Sequence, residues 1–290
     1  MGYTIRQLSA EEFPPQLLEI PEPPKKLWLA GTLPSPETVL LTVVGARKHT
    51  SYGREACEEL ISGLAGYDIA IVSGLALGID GIAHEAAMKA GLATISVPGS
   101  GLNPRVLYPR AHLQLALRIL EAGGALLSEF PPDTTPAIWT FPKRNRIMAG
   151  LAHATLLIEA QERSGTLITA RLATDYNRDL MVVPGSIFSP LSKGTNQFLA
   201  LGATPVTSSQ DILRLLGFSP DAEAPTVEVN LSLFPDDERQ VLELLTEPQG
   251  REHLIRQLGI SASDANVLLM RLEIAGHITD TPEGIRRNYI

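Results

Sequence analysis

The chain is poor in cysteine and in long apolar runs, and each shortage excludes a class of protein. Its one cysteine, Cys57, has no partner for an intrachain disulfide and excludes a structural zinc site built on cysteines. No uninterrupted apolar stretch approaches the ~18 residues of a membrane-spanning helix, and the first residues lack the charged-then-apolar order of a secretion signal. With 290 residues, 44% of them hydrophobic, the chain can bury one or two cores. We therefore expect a soluble, cytoplasmic protein with no membrane contact.

The chain also has fewer basic than acidic residues, but this deficit of basic charge is unevenly distributed along the sequence. The chain has 24 basic against 32 acidic residues, a net charge of −8, which taken alone argues against a nucleic-acid partner. Residues 38–215 carry 15 basic and 14 acidic groups, whereas residues 226–290 carry 6 and 11. The middle of the chain is therefore balanced in charge, and a local basic cluster there is compatible with nucleic acid.

Three further divisions follow from composition. Residues 1–37 contain seven prolines, which disfavour long helices and sheet ladders, so we expect a lead-in that packs on the main body. Residues 217–229 turn to proline, alanine and acidic residues without periodicity, as a linker does. Residues 230–290 predict three short helices at 236–246, 251–258 and 261–275, then a hairpin over 277–290 around Pro282-Glu283-Gly284. That order predicts a small winged-helix domain.

Residues 38–216 alternate short β-branched runs, glycine-rich turns and amphipathic helices. The predicted strands are 40–44, 69–72, 94–97, 125–127, 154–158 and 180–183, and the predicted helices are 53–65, 80–90, 110–122, 145–151, 166–176 and 194–201. Strands that alternate with helices and are apolar enough to be covered on both faces predict an α/β fold with a doubly wound, mainly parallel sheet. Ligands of such sheets bind at the carboxyl ends of the strands.

Two glycine-containing loops follow the first two predicted strands. Gly45, Arg47 and Lys48 form a turn that suits a phosphate, although a solvated turn also fits. Ser73, Gly74 and Gly78 predict a nest of backbone N–H groups suited to a phosphate at a helix N-terminus, without the dinucleotide or P-loop signature.

Asp80 and His84 raise the question of a metal, because they share one face of the helix that follows the second of these loops. No third ligand can be named, however, so we favour a capping carboxylate and a packed histidine and expect no metal.

The segment 139–146 combines aromatic and basic side chains more densely than any other part of the sequence. Lys143, Arg144 and Arg146 flank Asn145, directly after Phe141, and Pro142 is expected to keep Phe141 extended with a helix beginning beyond it. Cations for the backbone and aromatic faces for the bases are typical of single-stranded nucleic-acid binding. The alternative is a capped helix start beside a packed tryptophan.

A further loop, after the fifth predicted strand, contains Arg163, Ser164, Gly165 and Thr166. The hydroxyl groups suit helix capping, phosphate binding or both. A serine hydrolase is not supported, because the chain has no G-x-S-x-G elbow and no Ser, His and acid set with triad spacing.

Taken together, these motifs resemble the DNA-processing protein family DprA, also called Smf, from about residue 13 to about residue 216. The motifs that carry the resemblance are Val44-Gly45-Ala46-Arg47, Ser73-Gly74-Leu75-Ala76, Gly78-Ile79-Asp80, Ala83-His84, Leu127-Ser128-Glu129, Phe141-Pro142-Lys143-Arg144-Asn145-Arg146, Ser164-Gly165-Thr166, Thr169-Ala170, Pro184-Gly185, Gly194-Thr195-Asn196 and Gly202-Ala203. Their order is highly specific, whereas a single motif is not.

The resemblance implies an extended Rossmann-like core that forms a homodimer, binds single-stranded DNA and helps load the RecA recombinase during natural transformation. It implies no catalytic turnover and no cofactor. It places DNA contacts on Arg47 and on Lys143, Arg144 and Arg146, with Phe141 and Asn145 beside them. The predicted winged-helix domain matches one that many members carry.

The sequence departs from the family pattern at both ends. The 37 residues before the core are too few and too proline-rich for the helical domain with which members often begin. The winged domain is acidic, and its predicted recognition helix, residues 261–275, holds Arg271 against Asp264 and Glu273. A module that reads duplex DNA normally presents a basic face. We therefore expect this domain to contact protein rather than operator DNA.

The alternative function is a Rossmann-like nucleotide-binding or nucleotide-hydrolysing enzyme. Related phosphoribohydrolases have similar glycine-rich turns and a catalytic glutamate, but Thr169 stands where that glutamate would be. We favour a basic pocket formed where the 45–48 and 141–146 loops converge at the carboxyl edge of the sheet. The apolar segment 180–203 is one place for a dimer contact.

Overall fold

The computed structural model describes residues 2–219, 234–281 and 284–287. The chain divides into two compact units, residues 1–219 and 220–290. Most of the predicted linker, from residue 220 onward, lies outside the described residues, as do residues 282 and 283 of the predicted hairpin turn and its last three residues. None of the helices in the described ranges is long and apolar enough to cross a membrane.

Among the described residues of the first unit, nine strands form one sheet. In chain order they are β1 (Arg6–Gln7), β2 (Trp28–Gly31), β3 (Val39–Val44), β4 (Ile69–Ser73), β5 (Ala93–Ser96), β6 (Ala125–Ser128), β7 (Ala154–Leu157), β8 (Asp179–Val182) and β9 (Thr204–Pro205). Their order across the sheet is β1-β2-β6-β5-β4-β3-β7-β8-β9. Strands β3 to β9 are parallel to one another. Strand β2 pairs antiparallel with β6, and β1 pairs antiparallel with β2. The strand order reverses between β3 and β7, which is the switch point where α/β sheets bind ligands.

Helices cover both faces of this sheet, as the apolar strands predict. The helices are α1 (Pro15–Leu18), α2 (Ser51–Ser62), α3 (Ile79–Lys89), α4 (Leu113–Glu121), α5 (Thr140–Leu151), α6 (Thr166–Asp175), α7 (Lys193–Ala200) and α8 (Ser209–Leu215). Along β3, Leu41 and Val43 pack in the core with α2, α3 and α8, whereas Leu40 and Val44 pack in the core with α5, α6 and α7. This alternation is the two-residue period of a strand buried on both faces. The predicted fold class is confirmed.

The proline-rich beginning of the chain contributes two strands to the sheet, which its composition did not predict. Strand β2 pairs antiparallel with β6, and β1 pairs with β2. No proline lies between Pro24 and Pro34, so the backbone of β2 can complete its ladder while Leu27 and Leu29 are buried. Prolines therefore mark the ends of this strand instead of preventing it.

In its described residues, the second unit consists of three helices and a two-stranded antiparallel sheet. They are α9 (Asp236–Leu244), α10 (Arg251–Leu258), α11 (Ala262–Ile274), β10 (Ile278–Thr281) and β11 (Gly284–Arg287). Gly259 ends α10 in the left-handed region at φ +67°, and the Ser261 hydroxyl accepts a hydrogen bond from the Asp264 N–H at the start of α11. These caps separate α10 from α11 by a tight turn, as a winged helix requires.

Candidate nucleic-acid interface

A pocket of about 580 Å³ lies at the switch point of the sheet. Its walls come from the loops that follow β3 and β7 and from the first turns of α5. The lining residues are Val44, Gly45, Ala46, Arg47, Lys48, Ala76, Asp80, Ile138, Phe141, Pro142, Arg144, Asn145, Met148, Gln161, Ser164, Gly165, Thr166, Ile168, Thr169 and Leu191. Three of them are cationic and one is a carboxylate, so the pocket is locally basic within a balanced unit. The structure thus brings the 45–48 and 141–146 segments together.

The loop after β3 supplies the exposed cations of the pocket. The side chains of Arg47 and Lys48 are solvent-accessible. Gly45 lies so close to Ile79 that a Cβ on it would come within 2.9 Å of that side chain. The absence of a side chain at Gly45 therefore lets the loop turn tightly over α3 while its two cations face solvent.

Glu159 holds this loop in place, although the sequence interpretation did not include it. The residue is buried, and its carboxylate accepts hydrogen bonds from the Thr50 hydroxyl at 2.6 Å and the Thr50 N–H at 3.0 Å. Thr50 in turn caps α2. A Cβ on Gly53 would collide with this carboxylate. The sequence signal for Glu159 is an acidic residue directly after the predicted strand 154–158, outside every glycine motif.

Helix α5 begins earlier than predicted, at Thr140 instead of near Asn145. Phe141 is therefore helical and not extended, which corrects the interpretation of Pro142. Proline is tolerated in the first turn of a helix because its missing N–H would have no intrahelical acceptor there. The Thr140 hydroxyl donates a hydrogen bond to the Gly99 carbonyl at 2.6 Å and fixes the start of the helix.

Helical geometry disperses the basic run 143–146 around α5, because successive residues rotate by about 100°. Lys143 is exposed, but the side chains of Arg144 and Asn145 are buried. Arg146 is bound by the Glu129 carboxylate and donates a second hydrogen bond to the Glu22 carbonyl at 2.6 Å. The run therefore presents one free cation on the surface, not three, and its other members contact the protein itself.

Arg144 has the most constrained side chain of this run. It is 6% exposed, and its guanidinium donates hydrogen bonds to the carbonyls of Gly74 and Val97, the latter at 2.8 Å. A Cβ on Gly74 would lie 1.6 Å from that guanidinium, so glycine is required there. Asn145 donates a long hydrogen bond to the Gly165 carbonyl at 3.4 Å. Both side chains therefore fix loops of the pocket.

Asp80 fills the loop after β4. Its carboxylate accepts hydrogen bonds from the N–H groups of Gly74 and Ala76. Burial raises the pKa of Asp80, and the Arg144 guanidinium offsets part of that rise. The hydroxyl of Ser73 donates to the Val43 carbonyl, and Gly78 packs against the backbone of residues 46 and 47 at φ +81°. These contacts lie within the protein and do not support the sequence expectation that Ser73, Gly74 and Gly78 contact a phosphate.

His84 packs in the interior, as the sequence favours. Its ring nitrogen Nδ1 lies 2.7 Å from the Thr94 hydroxyl, and burial lowers the pKa of His84 to about 3. Within the described ranges, no group of three or more His, Cys, Asp or Glu side chains is arranged to hold a metal ion.

The aromatic side of the pocket is formed by Phe141. The Arg47 guanidinium lies 5.7 Å from the centre of the Phe141 ring, and Tyr108 packs edge-on against the same ring at 5.9 Å. One exposed cation is thus placed directly over an aromatic face. This pair can hold a phosphate and a base of the same nucleotide.

The loop after β7 forms the opposite wall with hydroxyl groups at the start of α6. The Thr166 hydroxyl donates a hydrogen bond to the Gly45 carbonyl at 3.1 Å. The Ser164 hydroxyl in turn donates to the Thr166 hydroxyl at 3.0 Å. Ser164, Gly165 and Thr166 line the pocket, whereas Arg163 is exposed outside its lining. Helix N-termini carry a partial positive charge, which favours an anion on this wall.

Comparison with known proteins gives the family. The model of DNA recombination-mediator protein A matches residues 4–217, and the model of the DprA winged helix domain matches residues 219–284. The chain belongs to the DprA family. Protein Smf of Escherichia coli K12 is 38% identical over 289 residues, which cover 96% of this chain and 75% of that protein.

Two solved structures of DprA proteins are similar. DprA from Streptococcus pneumoniae superimposes with a TM-score of 0.67 at 38% identity, covering 72% of this chain and 74% of that one. DprA from Helicobacter pylori, described for its single-stranded DNA binding mode, gives 0.65 at 29% identity, covering 74% and 96%. The resemblance to DprA that the motifs indicate is confirmed, as is the winged-helix domain.

Proposed function

We propose that the chain is a single-stranded-DNA-binding recombination mediator, which protects incoming DNA and helps load the RecA recombinase during natural transformation. Membership of the DprA family supports this role, and the Helicobacter pylori relative is described as binding single-stranded DNA. The observation that carries it is the pocket at the sheet switch point, where the exposed Arg47 stands over the Phe141 ring and the exposed Lys48 lines the same pocket. A single strand needs this combination of cations and an aromatic face.

In the proposed complex, each class of pocket residue has a different part. Arg47 and Lys48 neutralise phosphates, and the start of α6 at Ser164 to Thr166 accepts another anionic oxygen. Phe141 stacks on a base. Arg144, Asn145 and Arg146 are positioning residues that hold the loops and α5, because each of them donates hydrogen bonds to groups of the protein itself. This division modifies the sequence expectation that the whole run contacts DNA.

The proposed role needs no catalytic step and no cofactor. Thr169 lines the pocket where the related hydrolases carry a glutamate, and its side chain is fully buried. A hydroxyl there cannot act as the general acid or base that glycosidic cleavage requires near neutral pH.

We predict tight binding of a labelled single strand with a steep salt dependence, and weak binding of the matching duplex. Fluorescence anisotropy of the two oligonucleotides across a salt series measures both. The log-log slope for the single strand is expected to be about 0.7 for each phosphate contact. An absence of single-strand binding at low salt would overturn the proposal and favour a mononucleotide in the same pocket.

The winged-helix unit is proposed to contact protein rather than duplex DNA. Arg271, the one basic residue of α11, lies 3.2 Å from the Glu238 carboxylate, while Asp264 and Glu273 are exposed. The solvent side of α11 carries Val267, Met270 and Ile274, all exposed. An apolar and acidic helix repels a phosphate backbone and suits a protein surface.

We also propose that the chain forms a homodimer through the segment 180–203. Ile187, Phe188 and Leu201 of that segment are exposed, and Phe188 is 88% accessible. Large apolar side chains in water are typical of interfaces. Two pockets linked in one dimer would raise the affinity for a long strand through effective concentration.

Phe188→Asp is expected to convert the dimer to monomer at micromolar concentration, with the dissociation constant raised about tenfold or more. Light scattering after size-exclusion chromatography measures the mass. Leu18→Asp is the matched control, because Leu18 is also a large exposed apolar residue but lies in α1 of the N-terminal segment. A dimer that survives Phe188→Asp as well as Leu18→Asp contradicts this interface.

A further inference from the structure

We propose that Trp139 and Lys143 form a second nucleotide-binding station on single-stranded DNA, outside the pocket. This inference rests on the proposed function, since it extends the path of the same strand. The Lys143 ammonium lies 5.3 Å from the centre of the Trp139 ring, which repeats the arrangement of Arg47 over Phe141. Two cation-aromatic pairs thus stand at the start of one helix, α5.

Trp139 presents a large aromatic face to solvent. Its side chain is 55% exposed, although tryptophan is highly buried on average. The ring packs edge-on against Phe130, which is buried, at a centroid distance of 5.6 Å and an interplanar angle of 85°. That contact fixes the orientation of the ring, while more than half of its surface stays accessible for a base to stack on.

The second station, Trp139 and Lys143, is continuous with the pocket. Ile138 is 92% exposed and is also one of the pocket-lining residues, so the pocket wall leads directly to Trp139 along the chain. Lys143 comes one helical turn later and is exposed, and the nearby Glu129 carboxylate is bound by Arg146. A strand that leaves the pocket at Phe141 therefore meets the apolar Ile138, then the Trp139 ring, then the exposed Lys143 ammonium.

Trp139 and Lys143 would contact different parts of a nucleotide, so substitutions of the two residues should change the affinity and the salt dependence of binding differently. Stacking on Trp139 involves a neutral base and leaves counterion release unchanged, whereas Lys143 neutralises a phosphate. We expect Trp139→Ala to weaken binding of a long oligothymidylate about 5- to 100-fold with an unchanged salt slope. Lys143→Ala is expected to lower the log-log slope by about 0.7.

The test uses the full chain and the tryptophan fluorescence of the station itself. The chain has two tryptophans, so Trp28→Phe leaves Trp139 as the sole reporter. Oligothymidylates of about 4 to about 16 nucleotides are titrated into this protein to follow the quenching of Trp139. Its Trp139→Ala and Trp139→Phe derivatives contain no tryptophan, so their affinities and that of the parent are compared by fluorescence anisotropy of labelled oligothymidylates of the same lengths. Long strands are expected to quench Trp139 and to lose affinity in Trp139→Ala, with most of the affinity retained in Trp139→Phe. Short strands confined to the pocket are expected to bind all three alike.

The outcomes separate this inference from the proposed function. Short strands that bind the wild type but not Arg47→Ala, together with long strands that leave Trp139 unquenched and bind Trp139→Ala at full strength, overturn the second station alone. No binding of any length overturns both proposals. Thermal unfolding of each variant identifies the remaining possibility, a purely structural Trp139, which would lower stability in Trp139→Ala without changing the affinity for long strands.

Discussion

Arg47→Ala is expected to weaken single-stranded DNA binding about 10- to 100-fold, because a charge-assisted contact to a phosphate contributes about 1.5 to 3 kcal/mol. The salt slope should fall by about 0.7 at the same time. Arg47 is exposed, and its guanidinium stands over the Phe141 ring at the pocket mouth. Removing it takes away both a phosphate contact and the cation that orients the strand toward that ring. Anisotropy titration across a salt series measures both quantities.

Lys89→Ala is the matched control for Arg47→Ala. Lys89 is an exposed cation in the last turn of α3, and the pocket lies at the carboxyl edge of the sheet, where the helices begin. The two substitutions remove the same charge from opposite edges of one unit. If binding falls equally in both, only the net charge matters and the pocket assignment is contradicted. Thermal unfolding should be nearly unchanged in both, since neither side chain is buried.

Strand topology explains why the sequence predicts the place of the pocket. The loops after β3 and β7 follow short runs of mostly buried apolar residues, and parallel strands that are neighbours in the sheet bring their carboxyl ends together. The sequence could therefore predict that the 45–48 and 141–146 segments converge at this edge. The pairing of β3 with β7, which sets Thr166 beside Gly45, comes from the structure. This part of the prediction depends on the order of elements and not on the conformation of individual side chains.

The roles within 143–146 could not be read from the sequence, because they depend on where α5 begins. A helix that starts at Thr140 turns Arg144 toward the interior and Lys143 toward solvent, whereas an extended segment would display all the cations. The start is fixed by the Thr140 hydroxyl on the Gly99 carbonyl, a contact between residues 41 positions apart. A contact between residues so far apart in the chain leaves no local sequence pattern from which the start of the helix could be predicted.

The positions of buried polar side chains also could not be predicted from the sequence composition. Glu159 and Asp80 both accept backbone N–H groups from loops of the pocket, and each occupies a position that a phosphate-binding interpretation would leave open. A carboxylate of the protein thus occupies the place in the turn where a bound phosphate would otherwise accept the backbone N–H groups. The pocket combines such preformed turns, closed by the protein itself, with a few side chains that remain free for a ligand.

Arg144→Ala is expected to lower the free energy of unfolding by about 3 to 5 kcal/mol, because it leaves a buried charge uncompensated. The Asp80 carboxylate would lose the cation that offsets its burial, and the carbonyls of Gly74 and Val97 would lose their donor. Urea unfolding followed by circular dichroism measures the change. The loops at Gly74 and Asp80 would loosen, so weaker DNA binding is expected as a secondary effect.

Arg118→Ala provides the comparison, since it also removes an arginine charge that interacts with a carboxylate in the same unit. Arg118 bonds Glu85 at 2.6 Å, but both side chains are exposed, so the loss is expected to stay below about 1 kcal/mol. The double substitution Asp80→Asn with Arg144→Met should recover part of the stability that Arg144→Ala removes, because both charges leave the interior together. Equal stability of Arg144→Ala and Arg118→Ala, with DNA binding lost only in the former, would instead make Arg144 a direct DNA contact.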